Sequence, residues 1–315
     1  MSFETLLGNE RLKKNLSESL SKKHISHFYL ISGPEGSGKH TLAKLLACAI
    51  LCQGVRRPCL SCGPCRKVME GNHPDFITVE DPEHKTTAVR IVRQFREDVF
   101  IRPNESDYKI YLFPQELGIE GQNALLKILE EPPSYGVFIL LTDNPDKLLP
   151  TVRSRCTELK LLPLEEGQLR RQLRMDFPKA EEEDISAAMF RSGGFLGQAR
   201  ALLENGDKLP PQTESFVKAF AAKDTLLLTQ TLVPMEKWKR DALAEILVSW
   251  TELLESALCS RSGIRAVSAH ARQLSQQRTA TELFDALKEL KKALEYTQSN
   301  VSPAAVCGYL VWALR

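Results

Sequence analysis

The 315-residue chain carries 42 basic and 40 acidic side chains, a formal net charge of +2, with 43% hydrophobic and 26% charged residues. Near neutrality excludes a polycation that coats nucleic acid over its whole surface; the balance is that of a soluble globular protein of two or three domains. Apolar runs are short, such as residues 137–141, and the opening MSFETLLGNERLKKNL lacks a basic start followed by an apolar core, so neither a membrane span nor a signal peptide is expected. The expected compartment is the cytoplasm, whose reducing conditions disfavour disulfides among the eight cysteines.

In chain order, Leu12, Leu16 and Leu20 form one stripe of an amphipathic helix over residues 9–20. FYLIS (28–32) reads as a buried strand leading into a glycine-rich loop, and a helix is expected from Lys39 to about Leu51. Further strands are expected at FITVE (76–80), YKIYLF (108–113), VFILLT (137–142) and TELKL (157–161), with helices at 87–99 and 120–131 between them. Strands alternating with helices predict an α/β domain with a mainly parallel sheet. After residue 162 the strand signal stops. Residues 165–205 read as three short helices broken at Gly193-Gly194, and KLPPQTES (208–215) reads as a linker because its two prolines interrupt a helix. Beyond it, Leu243, Ile246, Leu247, Trp250, Leu254 and Leu258 form one helical stripe, and Leu283, Leu287, Leu290 and Leu294 another.

Gly33-Pro34-Glu35-Gly36-Ser37-Gly38-Lys39 fits G-x-x-x-x-G-K between a strand and a helix. Gly33, Gly36 and Gly38 let the backbone wrap closely round phosphate, so that amide N–H groups and a helix N-terminus face the anion, and Lys39 supplies a point charge. The next position normally offers a hydroxyl to magnesium. His40 stands there instead, and Thr41, one residue on, is turned about 100° round the helix. The strand 108–113 is followed by Pro114 and Gln115, where an ATPase of this architecture carries its magnesium-binding and water-activating acids; Glu116 is the first carboxylate. Both departures weaken the same metal and water chemistry. The expectation is a phosphate site that can retain ATP binding, with hydrolysis not expected, and with the role of Glu116 open.

CQGVRRPCLSCGPCRKVMEGNHPDF carries Cys52, Cys59, Cys62 and Cys65, enough thiolates for a tetrahedral zinc ion. Such a site is coordinatively closed and supports folding. Cys48, one helical turn before Cys52, competes for the place of first ligand.

Taken together, HFYLISGPEGSGK, the cysteine module followed by GNHPDF, NALLKILEEPP (123–133) and LLPTVRSRC (148–156) resemble the clamp-loader branch of the AAA+ ATPases, in the same order and across the first half of the chain. RSGGFLGQARALLE (191–204) looks like the family's lid helix. The resemblance implies a P-loop AAA+ domain with a parallel sheet over residues 1–162, with the zinc module at about 52–65 inserted in it. A small helical lid would cover 163–207, and an all-α collar for oligomerisation 208–315. It further implies a subunit of the DNA polymerase III holoenzyme that helps load the sliding clamp on primed DNA, with gamma/tau and delta subunits as partners. Arg155 matches the family's arginine finger, which braces the γ-phosphate of ATP held by a neighbouring subunit. Thr142 and Asn144 match a polar sensor, and Arg200 a second sensor in the lid. Two other functions compete: an active clamp-loader ATPase of the gamma/tau type, and a zinc-dependent nucleic-acid module, against which the cysteine loop has few aromatics or clustered bases beyond Arg56, Arg57, Arg66 and Lys67.

Overall fold

The computed structural model describes residues 3–82, 86–87, 89–205, 210–261, 268–299 and 301–314. The chain divides into two compact units, residues 1–181 with 192–201, and residues 182–191 with 202–315.

The first unit is a parallel sheet with helices on both faces. Its elements begin with α1 (Glu10–Ser21), β1 (Phe28–Ser32), α2 (Lys39–Leu51), α3 (Gly63–Glu70), β2 (Phe76–Thr78) and β3 (Thr86–Thr87). They continue with α4 (Val89–Asp98), β4 (Lys109–Phe113), β5 (Glu116–Leu117), α5 (Ile119–Glu130), β6 (Gly136–Thr142), α6 (Pro150–Arg153), β7 (Thr157–Lys160) and α7 (Glu166–Asp176). Five strands pair in parallel in the order β2-β4-β6-β1-β7, and β3 pairs with β5 in a separate ladder. The central strands β1, β4 and β6 are buried throughout and mostly apolar because both faces are covered. Successive side chains alternate between the faces. Tyr29, Ile31, Ile110, Leu112, Val137 and Ile139 meet the cluster that includes residues of α1, α2 and α3, whereas Phe28, Leu30, Tyr111, Phe113, Phe138 and Leu140 meet the one built with α4 and α5. On the second face the rings of Phe28 and Tyr111 stack on either side of Phe138, at 4.5 and 5.5 Å, and Phe95 of α4 stands edge-on to Phe138 at 5.9 Å.

The predicted strands and helices of this unit are present, with ends that shift by one or two residues. The strand expected over 76–80 closes at Thr78, although the Val79 amide still donates to the Leu112 carbonyl at 2.8 Å.

The C-terminal elements are α8 (Glu182–Arg191), α9 (Leu196–Asn205), α10 (Pro211–Ala222), α11 (Thr225–Leu232), α12 (Arg240–Arg261), α13 (Ala269–Gln277), α14 (Ala280–Gln298) and α15 (Pro303–Ala313). Residues 211–215 of the expected linker open α10, because proline at the first helical position gives up only an N–H that has no partner there anyway; residues 208–209 lie outside the described residues. Both helical stripes face the core of the second unit. Trp250 of α12 is fully buried, stacks on Phe216 at 4.1 Å and donates its indole N–H to Thr213 Oγ1 at 3.1 Å. Arg278 lies over the Phe220 ring at 4.2 Å and donates to the Phe220 carbonyl at 2.7 Å, tying the start of α14 to α10. No helix among the described residues is long and apolar enough to cross a membrane.

Candidate functional site

The glycine loop runs from the C-terminal end of β1 to the first turn of α2, the strand–loop–helix arrangement its sequence predicts. It borders a cavity of about 1100 Å³ that Gln115, Glu116, Thr142, Asp143 and Arg200 also line. Gly36, at φ 71°, accepts the Gly197 amide on its carbonyl at 2.9 Å. A Cβ at Gly36 would lie 2.4 Å from the Gln198 backbone nitrogen, so only glycine allows α9 to begin against the loop. Ser37 Oγ is buried in the loop without a hydrogen-bond partner, and an orphaned hydroxyl beside α2's N-terminal amides fits a phosphate group.

Lys39, at the start of α2, is buried and points back into the loop. Its Nζ donates to the carbonyls of Gly33 at 2.6 Å and Pro34 at 3.0 Å, and to Asp143 Oδ1 at 2.5 Å. His40 and Thr41 are exposed at the cavity's edge. Partial desolvation, then the charges of Lys39 and Lys44, push the His40 imidazole below its ordinary pKa. It therefore stands as a neutral nitrogen base where a hard oxygen ligand is normal.

The strand end after β4 is committed to structure. Gln115 Oε1 accepts the Asp81 amide at 2.8 Å and the Thr87 hydroxyl at 3.2 Å, while its Nε2 donates to the Asp81 carbonyl at 2.8 Å. Both carboxylate oxygens of Glu116 meet Lys147 Nζ, at 2.9 and 3.0 Å. Thr142 Oγ1 accepts the Asn144 amide at 3.2 Å and donates to its carbonyl at 2.9 Å, and Asn144 Oδ1 caps the next turn through the Asp146 amide. Arg200 is paired with Asp176 at 2.7 Å.

The structure brings Cys52, Cys59, Cys62 and Cys65 together, every Sγ within 4.8 Å of the others. A tetrahedral zinc ion with bonds of about 2.3 Å holds its sulfurs roughly 3.8 Å apart, so the four thiols fit a metal after a small contraction. The Gly54 amide donates to Cys52 Sγ and the Cys62 amide to Cys59 Sγ, both at 3.3 Å. The backbone amides of Ser61 and Cys62 hold the Cys59 thiol down to about 5, whereas burial pushes those of Cys52 and Cys65 up. A metal ion would replace the protons of all four. Cys48 lies outside the cluster: buried in α2, it places its thiol 3.6 Å from the Cys65 carbonyl.

Arg155 follows α6 on a tight turn that leads into β7. Its side chain is 40% exposed and does not line the glycine-loop cavity; the guanidinium donates to the Thr151 carbonyl at 2.9 Å and lies 3.7 Å from Glu130. Arg153, two residues earlier, is tied to Asp146 at 2.8 Å and to Glu158 at 3.3 Å.

Residues 8–165, half of the chain, match the family described as "DNA polymerase III, delta subunit". The chain belongs to this family. It is 28% identical to the delta-prime subunit of DNA polymerase III from Bacillus subtilis, over 97% of this chain and 95% of that protein. A gamma subunit from Buchnera aphidicola is 30% identical over 80% of this chain and 74% of its own length. The tau subunit of Bacillus subtilis is 39% identical over 49% of this chain, which spans only 28% of that protein.

Within this polymerase III family fold, sequence reasoning missed Asp143. It singled out Thr142 and Asn144 on either side, but the carboxylate between them is the side chain that meets Lys39. The available signal was a lone acid at the C-terminal end of a strand. Only strand order, with Ser32 opposite Thr142, shows that this end lies beside the glycine loop.

Proposed function

We propose that this chain serves a clamp loader as its delta-prime-type subunit, lending Arg155 to ATP bound by a neighbouring subunit and turning over no ATP of its own. The observation that carries this reading is the placement of Arg155: exposed, outside its own cavity and held by one carbonyl and a long contact to Glu130. A guanidinium stays charged at any working pH, and bracing the γ-phosphate oxygens of a partner's ATP accelerates transfer by about 10³–10⁵ in systems of this kind. The chain's own site supports binding better than turnover. Gly33, Gly36, Gly38 and Lys39 fit a phosphate cradle, while His40 replaces the magnesium hydroxyl, Gln115 is spent on Asp81 and Glu116 on Lys147. When bound, the nucleotide would supply only its phosphate charge; the loop amides and Lys39 would orient it. In this reading residues 1–162 are the AAA+ domain, 163–207 the lid and 208–315 the collar, and Cys52, Cys59, Cys62 and Cys65 hold a structural zinc ion. The partners are gamma/tau and delta subunits, with the clamp and primed DNA reached through the complex.

The test is reconstitution with the cognate loader subunits. Arg155→Ala should lower clamp-dependent ATPase by at least about tenfold at unchanged assembly, and equal rates for the two proteins would remove the mechanism. A second reading, an active ATPase of the gamma type, is favoured by the intact Lys39 and by the 30% identity to a gamma subunit. Robust turnover by the isolated chain, abolished in Lys39→Ala, would establish it.

A further inference from the structure

The loop lysine is already occupied. An ammonium has three donors, and all three of Lys39's are taken by Gly33, Pro34 and Asp143. Two of these acceptors belong to the loop itself; the third is a full negative charge from the end of β6, brought alongside by the parallel pairing of β1 and β6. The two partners differ in exposure: Lys39 is 10% exposed, and Asp143 is 57% exposed. Asp143 is therefore the partner with more freedom to turn into solvent, while Lys39 is held in the loop.

We propose that Asp143 is an electrostatic latch on the nucleotide site, its carboxylate taking the place beside Lys39 that a terminal phosphate would otherwise occupy. The proposal rests on reading the glycine loop as a nucleotide site. A triphosphate entering the cavity meets two costs at once. It must displace a charge-assisted hydrogen bond, and it brings negative charge up to a carboxylate that borders the same space. The latch thus sets a low affinity by charge, independently of magnesium. A metal-ligating carboxylate would act with the opposite sign, strengthening binding when magnesium is present.

The experiment is calorimetric titration of the full chain with ATP, in EDTA and again in magnesium, for wild type, Asp143→Asn, Asp143→Ala and Lys39→Ala, each checked by its thermal melt. Both Asp143 variants should bind ATP at least about tenfold more tightly than wild type in EDTA, and should keep that gain in magnesium. Lys39→Ala should bind no ATP. If Lys39→Ala binds as wild type does, the nucleotide site itself is misread. If Lys39→Ala loses binding and Asp143→Asn gains none, the latch alone is wrong. Absence of ATP binding by Asp143→Asn at millimolar concentration, or a loss of affinity confined to magnesium, would likewise overturn it.

Discussion

The cysteine cluster and the glycine loop both sit in the first unit, and they are assembled over very different distances along the chain. All four sulfurs come from residues 52–65, and the amides of Gly54, Ser61 and Cys62 that donate to them lie in the same segment. The glycine loop draws its lysine's counter-charge from Asp143 and meets the start of α9 at Gly197; the strand end beside its cavity is spent on Asp81 and Lys147. A site built from a short segment is specified by spacing and can be ruined by one ligand. A site assembled from distant segments can keep its motif intact while its chemistry is reassigned by the neighbours that happen to pack there.

The largest break in that comparison would come from removing the metal proposed for the four cysteines. Cys59→Ser, or chelation under reducing conditions, should release the ion and unfold the 52–70 segment, since a structural zinc contributes on the order of 10 kcal/mol in small modules. Metal analysis together with a thermal melt reads this out. A chain that melts unchanged after verified metal loss would show that the cluster is only four packed thiols. Within the glycine loop, Gly36→Ala should destabilise the first unit by about 2–3 kcal/mol. Its Cβ would strike the Gln198 nitrogen, and the backbone there has positive φ. The matching change in the cysteine module, Gly63→Ala, meets no atom within 4 Å and should shift stability by less than about 1 kcal/mol. Equal melts for the two alanine variants would remove the contrast. Most telling for the chemistry is Gln115→Glu. It restores an acid at the strand end but trades the Nε2 donor to the Asp81 carbonyl for a repelling oxygen, at a cost of about 1–3 kcal/mol. The isolated chain should still turn over no ATP. Turnover gained by this single change would show that the missing acid, and not the surrounding network, had silenced the site.

The sequence by itself determined the alternation of strands and helices, the glycine loop at the end of β1, the four neighbouring cysteines and the helical stripes of the second unit. These are local or periodic signals, carried by side-chain alternation, helical spacing and backbone chemistry within a few residues. It also displayed a hydroxyl missing at His40 and acids missing at Pro114 and Gln115. Only the tertiary structure decided what replaced them: Gln115 bridged to Asp81, Glu116 held by Lys147, Thr142 and Asn144 tied into their own turn, and Asp143 set against Lys39. It also took Cys48 out of the cysteine cluster. The physical reason is that hydrogen bonds and ion pairs are short-ranged, whereas the partners here lie up to 104 residues apart in the chain. Parallel pairing of β1 with β6 closes that distance, and no spacing in the one-dimensional pattern encodes it.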